Sequence, residues 1–306
     1  MTKLIFLFPG QGSQNKKMIL NLYKKFNIIK NTIKYGSKIL KYDILNTIKN
    51  NTKLNNTIYT QPILLIINTA IWRLWTQKNG IIPKIFAGHS LGEYNSLICN
   101  NNITLKQGIK LIQKRANLMM SASNNSKMKM MSILGINYKK VKELYLKIKK
   151  KYYIEISNIN SKKQIIISIK NKHINLIKNI FENNNAKCFL LKVNIASHCN
   201  IMFNISKDFK NFLKIIKYKK NTNNIIHNLN INYCQKKYNI NNILTKHLYK
   251  KVKWIETIKY LEFTGIKNLI ECGPNKILKN LTRRMTKLSC KSINNYDEFK
   301  KNLQKN

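Results

Sequence analysis

A serine lies between two glycines in the pentapeptide Gly88-His89-Ser90-Leu91-Gly92, a G-x-S-x-G pattern. The apolar run at 85–87, Ile-Phe-Ala, has the composition of a buried strand end. After the pentapeptide, Leu91, Tyr94, Leu97 and Ile98 recur at helical spacing. Strand, pentapeptide and helix together predict a nucleophile elbow, a sharp turn that presents a serine hydroxyl. Glycines suit the flanking positions because such a turn leaves little room for side chains. Ser90 would then stand at a helix N-terminus, where free N–H groups and the positive end of the dipole stabilise negative charge. A turn that merely starts a helix has the same pattern, so the partners of the serine must decide.

A serine nucleophile needs a base. The chain has five histidines: His89, His173, His198, His227 and His247. His89 lies inside the elbow and is expected to face away from Ser90. His173 falls on the polar face of a predicted helix, and His227 and His247 carry no local signal. His198 follows Ala196-Ser197 at the junction between two predicted lobes, a usual place for a cleft. The acids between Ser90 and His198 are Glu93, Glu143, Glu155 and Glu182, and none has the strand-end context of a triad carboxylate.

The elements that would carry these residues alternate between strand and helix. Residues 4–8 are wholly apolar and end at Pro9-Gly10, the pattern of a central buried strand. The loop Gly10-Gln11-Gly12-Ser13-Gln14 follows and leads into an amphipathic helix from about Met18. It matches neither phosphate-loop pattern. A helix buried nearly all round is predicted over 62–78, with Pro62 in its first turn. Another is predicted over 104–122, capped by Thr104 and carrying Arg115. Strands are then expected at 130–136, 153–157, 164–169 and 187–193, with helices at 138–150 and 171–181. That βαββαβ order predicts a small ferredoxin-like subdomain set into a larger α/β body. Helices return at 201–216 and 239–262. The span 217–242 reads as a surface connection around a strand near 225–228. A last strand at 269–271 stops at Gly273-Pro274, and a helix starts near Lys276.

Composition sets outer bounds. A chain of 306 residues with 43% apolar residues buries a sizeable core. Lys and Arg number 57 against 11 acids, a net charge of +46. Such a charge attracts polyanions, but the lysines are spread along the whole chain. Asn and Ile are inflated with them, and Arg occurs only at Arg73, Arg115, Arg283 and Arg284. An AT-rich coding bias accounts for that, with no nucleic acid as partner. A basic surface still favours an acidic macromolecular partner. Six cysteines without C-x-x-C spacing imply neither a metal site nor a disulfide framework. The apolar run at 63–75 is interrupted by Asn68, Thr69 and Arg73 and falls short of a membrane span. A soluble, cytoplasmic protein is expected.

Taken jointly, these stretches resemble the malonyl-CoA:acyl carrier protein transacylase family of type II fatty acid synthesis. The resemblance rests on Phe-Pro-Gly-Gln-Gly-Ser-Gln at 8–14, Thr60-Gln61-Pro62, Gly-His-Ser-Leu-Gly-Glu-Tyr at 88–94 and Arg115. It continues through Gly135, Asn160-Ser161, Ser197-His198-Cys199, Val252-Lys253-Trp254 and Glu271-Cys272-Gly273-Pro274, in family order from end to end. It implies an α/β-hydrolase-like core at 1–126 and 195–306, with the ferredoxin-like insert at 127–194. It implies Ser90 as nucleophile and His198 as general base and acid. Backbone N–H groups of Gln11 and Leu91 would form the oxyanion hole, and Arg115 would hold the malonyl carboxylate. The backbone carbonyl at 247 would orient His198, and Asn160 would line the substrate pocket. No cofactor or metal is implied beyond the substrates malonyl-CoA and holo acyl carrier protein. The carrier would be an acidic, transient partner of a monomeric enzyme.

Three departures stand out. The family's glutamine at 247 is His247 here, its Gly-Ala-Met is Met128-Lys129-Met130, and its Gly-Pro-Gly is Gly273-Pro274-Asn275. Two rivals use the same elbow: an acyltransferase of a polyketide pathway, and a serine esterase or thioesterase.

Overall fold

The computed structural model describes residues 4–50, 53–220, 223–229 and 239–304. Its strands are β1 (Leu4–Phe8), β2 (Ile85–Gly88), β3 (Met128–Leu134), β4 (Ile154–Ser161), β5 (Gln164–Lys170), β6 (Lys187–Leu190), β7 (Asn224–Ile226), β8 (Asn268–Glu271) and β9 (Ser289–Ser292). Five of them form a parallel sheet in the order β7-β2-β1-β8-β9. The other four form an antiparallel sheet in the order β4-β5-β3-β6.

β1 reads Leu-Ile-Phe-Leu-Phe with every residue buried, because a central parallel strand is covered on both faces. Side chains alternate between the faces. Phe6 and Phe8 turn to one layer, where Trp72 and Trp75 of the Thr57–Gln77 helix meet the Phe6 ring edge-on at 5.1 and 5.4 Å. Ile5 and Leu7 turn to the other, packing with Trp254, Ile258, Leu261 and Leu278.

The Thr57–Gln77 helix begins earlier than its sequence suggests. Asn56 caps it, accepting from the Ile58 N–H at 3.1 Å, so Pro62 lies inside the helix rather than in its first turn. Buried amides tie this helix to the elbow. Asn68 donates to the Pro9 carbonyl at 3.1 Å and to Asn95 Oδ1 at 3.0 Å, and Asn95 donates to the Leu65 carbonyl at 2.8 Å. The loop after β1 and the helix after β2 are thereby fixed to one scaffold.

The Leu105–Ser126 helix starts at a capping box formed by Thr104 and Gln107, and it positions Arg115. The helix expected over 239–262 is broken into Ile240–Tyr249 and Trp254–Phe263. Between them Val252 is drawn to the edge of β4, exchanging backbone bonds with Ser157 and Ile159 at 2.9 and 2.8 Å. Helical periodicity alone does not register such tertiary pairing. The strand at 269–271 is not the last: β9 follows it, and its short Ser-Cys-Lys-Ser sequence carries little strand signal. Of the surface connection expected over 217–242, residues 221–222 and 230–238 lie outside the described residues, as does Cys234. Among the described residues, no helix is long and apolar enough to cross a membrane.

Candidate active site

Ser90 stands two residues past the end of β2 and has φ 51°, the left-handed region that costs a non-glycine residue about 1–3 kcal/mol. Two glycines permit the turn. A Cβ at Gly88 would overlap the Gly92 backbone, and one at Gly92 would overlap the Phe8 carbonyl. The elbow is thus pressed against β1, which brings the Gln11 loop alongside Ser90.

His198 is the second strained residue, at φ 59°. Its Nε2 lies 2.7 Å from Ser90 Oγ. The ring is held by the end of the Ile240–Tyr249 helix. His198 Nδ1 donates to the His247 carbonyl at 2.8 Å, and its backbone N–H donates to the Leu248 carbonyl at 3.0 Å. These carbonyls belong to the last turn of a helix, where no intrahelical donor remains. The negative end of the helix dipole also favours an imidazolium there. A backbone carbonyl at a helix end thus takes the place beside the imidazole that a carboxylate takes in a serine–histidine–aspartate triad.

Arg115 is 1% exposed and carries its charge into the same cavity. Its Nη1 donates to Gln61 Oε1 at 2.6 Å, its Nη2 donates to Ser90 Oγ at 3.3 Å, and the guanidinium lies 5.4 Å from the Tyr94 ring centre. Its Nε has no partner in the structure. A buried cation with no anion bonded to it is costly unless a ligand supplies one.

His89 turns from Ser90 toward Asn160, with Nε2 2.9 Å from Asn160 Oδ1 and its ring edge-on to Trp254. Gln11, Ser90, Leu91, Arg115, Asn160 and His198 all line one cavity of about 530 Å³. His247 contributes its carbonyl from behind. Its buried imidazole packs on His198 with ring centres 4.9 Å apart. Several neighbours are not among the site residues expected from the sequence. Gln61 was one residue of a short motif, yet it fixes the guanidinium. Glu93, His227 and Asn228 form a buried cluster behind the elbow, and only the fold brings residues 93 and 227 together.

Burial first, then the neighbouring His247 imidazole and the Arg115 guanidinium, hold His198 well below the usual imidazole value. Burial likewise lowers His247, to about 4. His198 is therefore neutral at neutral pH, the form that accepts a proton. Protonation switches it off only when the pH falls through its depressed pKa. The acid limb of kcat/KM is expected to lie well below pH 6.5, and a limb at or above 6.5 would contradict a buried histidine base.

The acyl transferase domain family matches residues 5–304. The malonyl CoA-acyl carrier protein transacylase of Buchnera aphidicola subsp. Schizaphis graminum is 33% identical over 98% of this chain and 97% of its own. That of Haemophilus influenzae is 30% identical over 98% and 97%. The crystal structure of FabD from Acinetobacter baumannii superposes with a TM-score of 0.94 at 32% identity, covering 99% of this chain and 98% of that one. A malonyl-transacylase in complex with a type II PKS acyl-carrier protein gives a TM-score of 0.94 at 29% identity, covering both chains fully. The chain belongs to the malonyl CoA-acyl carrier protein transacylase family of acyl transferases.

Proposed function

We propose that this protein transfers the malonyl group of malonyl-CoA to the phosphopantetheine thiol of an acyl carrier protein through a malonyl-serine. The observation that carries the reading is the buried Arg115 guanidinium 3.3 Å from Ser90 Oγ, itself 2.7 Å from His198 Nε2. His198 takes the Ser90 proton as Oγ attacks the thioester carbonyl, then gives it to the departing CoA thiolate. The backbone N–H groups of Gln11 and Leu91 receive the oxyanion. In the second half the carrier thiol gives its proton to His198 and attacks the malonyl-serine carbonyl; the Oγ–acyl bond breaks and Ser90 Oγ takes that proton back from His198. No cofactor or metal enters either half.

Arg115 selects the diacid, because a planar guanidinium binds a carboxylate through two parallel bonds. Its charge also helps keep His198 neutral. A carboxylate paired with Arg115 offsets that repulsion, so a bound malonyl group makes His198 a better proton acceptor than a bound acetyl group does.

The core is read as α/β-hydrolase-like, with residues 127–194 as an inserted ferredoxin-like subdomain. Met130, Asn158, Gln164 and Ile166 of that segment line the cavity and shield the acyl-serine from water. Exposed Lys192 and Arg284 stand at the same cavity and suit an acidic carrier. The enzyme is read as a cytoplasmic monomer.

Initial rates varied against both substrates test the two-step cycle. Parallel double-reciprocal lines are expected for malonyl-CoA against holo carrier protein. Intersecting lines would mean a ternary complex and no acyl-serine.

A further inference from the structure

We propose that Asn228 is a positioning residue for the nucleophile, fastened in turn by the buried carboxylate of Glu93. The Asn228 side chain bridges the elbow. Its Oδ1 accepts from the Ser90 N–H at 2.8 Å, and its Nδ2 donates to the Gly88 carbonyl. An amide is suited to this place because it carries an acceptor and donors on one planar group. Ser90 sits at φ 51°, a conformation that persists only where the surroundings over-determine it. Relaxation of that backbone would swing Oγ away from His198.

Asn228 is itself held. It is 2% exposed and lies just after β7, which pairs with β2. Its backbone N–H donates to Glu93 Oε2 at 3.1 Å, and His227 Nδ1 lies 2.6 Å from Glu93 Oε1. Glu93 is 0% exposed and occupies the first turn of the Gly92–Cys99 helix, three residues past Ser90. His247 Nδ1 stands 3.3 Å from Glu93 Oε2, off the line of a hydrogen bond. Glu93 thus grips the loop after β7, and that loop grips the elbow. The imidazole that packs on His198 rests against the same carboxylate. One buried acid braces both members of the Ser90–His198 pair without touching the substrate cavity.

The inference rests on Ser90 as nucleophile, and a fluorophosphonate probe separates the two. Such a probe phosphonylates an activated serine, expelling fluoride, and needs neither CoA nor a carboxylate. Asn228→Ala is expected to be labelled at least about tenfold more slowly than wild type, with kcat falling in parallel and KM within about twofold, since misplacing a reacting group costs rate rather than binding. A purely structural role would lower the melting temperature and leave the labelling rate of the folded fraction alone. Equal labelling of wild type and variant would overturn the clamp. Wild-type labelling at a residue other than Ser90 would overturn the nucleophile reading instead. Hydrogen exchange on the wild-type protein provides a check independent of any variant's folding. The Ser90 amide is expected to be protected, and exchange at the rate of an open loop would overturn the proposal.

Discussion

Arg115→Ala is expected to remove the preference for malonyl-CoA over acetyl-CoA. Truncating one partner of a buried charge pair costs about 3–5 kcal/mol, roughly two to three and a half orders of magnitude in rate. The loss falls on malonyl transfer, because the substrate carboxylate then enters a cavity with no cation bonded to it. Acetyl transfer is expected to rise relative to malonyl transfer, since a buried unpaired guanidinium no longer opposes the neutral substrate. Arg115→Lys is expected to recover only part of the preference. An ammonium is a point charge and cannot reproduce the pairing that Gln61 Oε1 sets up at 2.6 Å from Nη1. Competition between the two thioesters, read as the ratio of acylated carriers, checks this. An unchanged ratio in Arg115→Ala would place the carboxylate elsewhere.

The second large effect concerns the Ser90–His198 pair. His198→Ala is expected to lower kcat for malonyl transfer by about 10²–10⁴, with KM for malonyl-CoA little changed. Ser90→Ala is expected to be at least as severe. Residues that act as a unit are non-additive, so the double variant should be no slower than Ser90→Ala alone. Additive losses would mean that the 2.7 Å contact between Ser90 Oγ and His198 Nε2 serves no shared step. His247→Gln is a useful contrast. It keeps the carbonyl that His198 Nδ1 bonds but removes the ring between His198 and Glu93, so it isolates what that ring adds to the pair.

The parts legible from sequence were those with strong local signals. The wholly apolar β1, the glycine-flanked Ser90, the Thr104 cap and the alternation of elements from 128 to 190 each follow from short-range rules. The break at 250–253 was not legible, because Val252 leaves the helix to pair with β4 some ninety residues earlier in the chain. The Pro62 misplacement has a related cause. Asn56 caps the helix, and tertiary burial of Thr57, Thr60 and Gln61 offsets the cost of an interior proline.

Within the site, Ser90, His198 and Arg115 could be picked out as residues, but their meeting is a product of topology. Parallel pairing of β1 with β2 sets the Gln11 loop beside the elbow, and the Leu105–Ser126 helix brings Arg115 beneath it. Glu93 shows the limit most clearly. In sequence it is one acid among four without strand-end context, whereas in the fold it lies 2.6 Å from His227 and fully buried. The net charge of +46 says little about the chemistry, because the cation that faces Ser90 is one of four arginines and is almost wholly buried.

The central claim is that a serine hydroxyl activated by an imidazole carries the diacid between two thiols. Intact-protein mass spectrometry after mixing with malonyl-CoA, in the absence of carrier, tests it most directly. The wild-type chain is expected to gain the mass of one malonyl group, which peptide mapping assigns to Ser90 and which Ser90→Ala fails to acquire. A malonyl adduct that survives in Ser90→Ala would contradict the account.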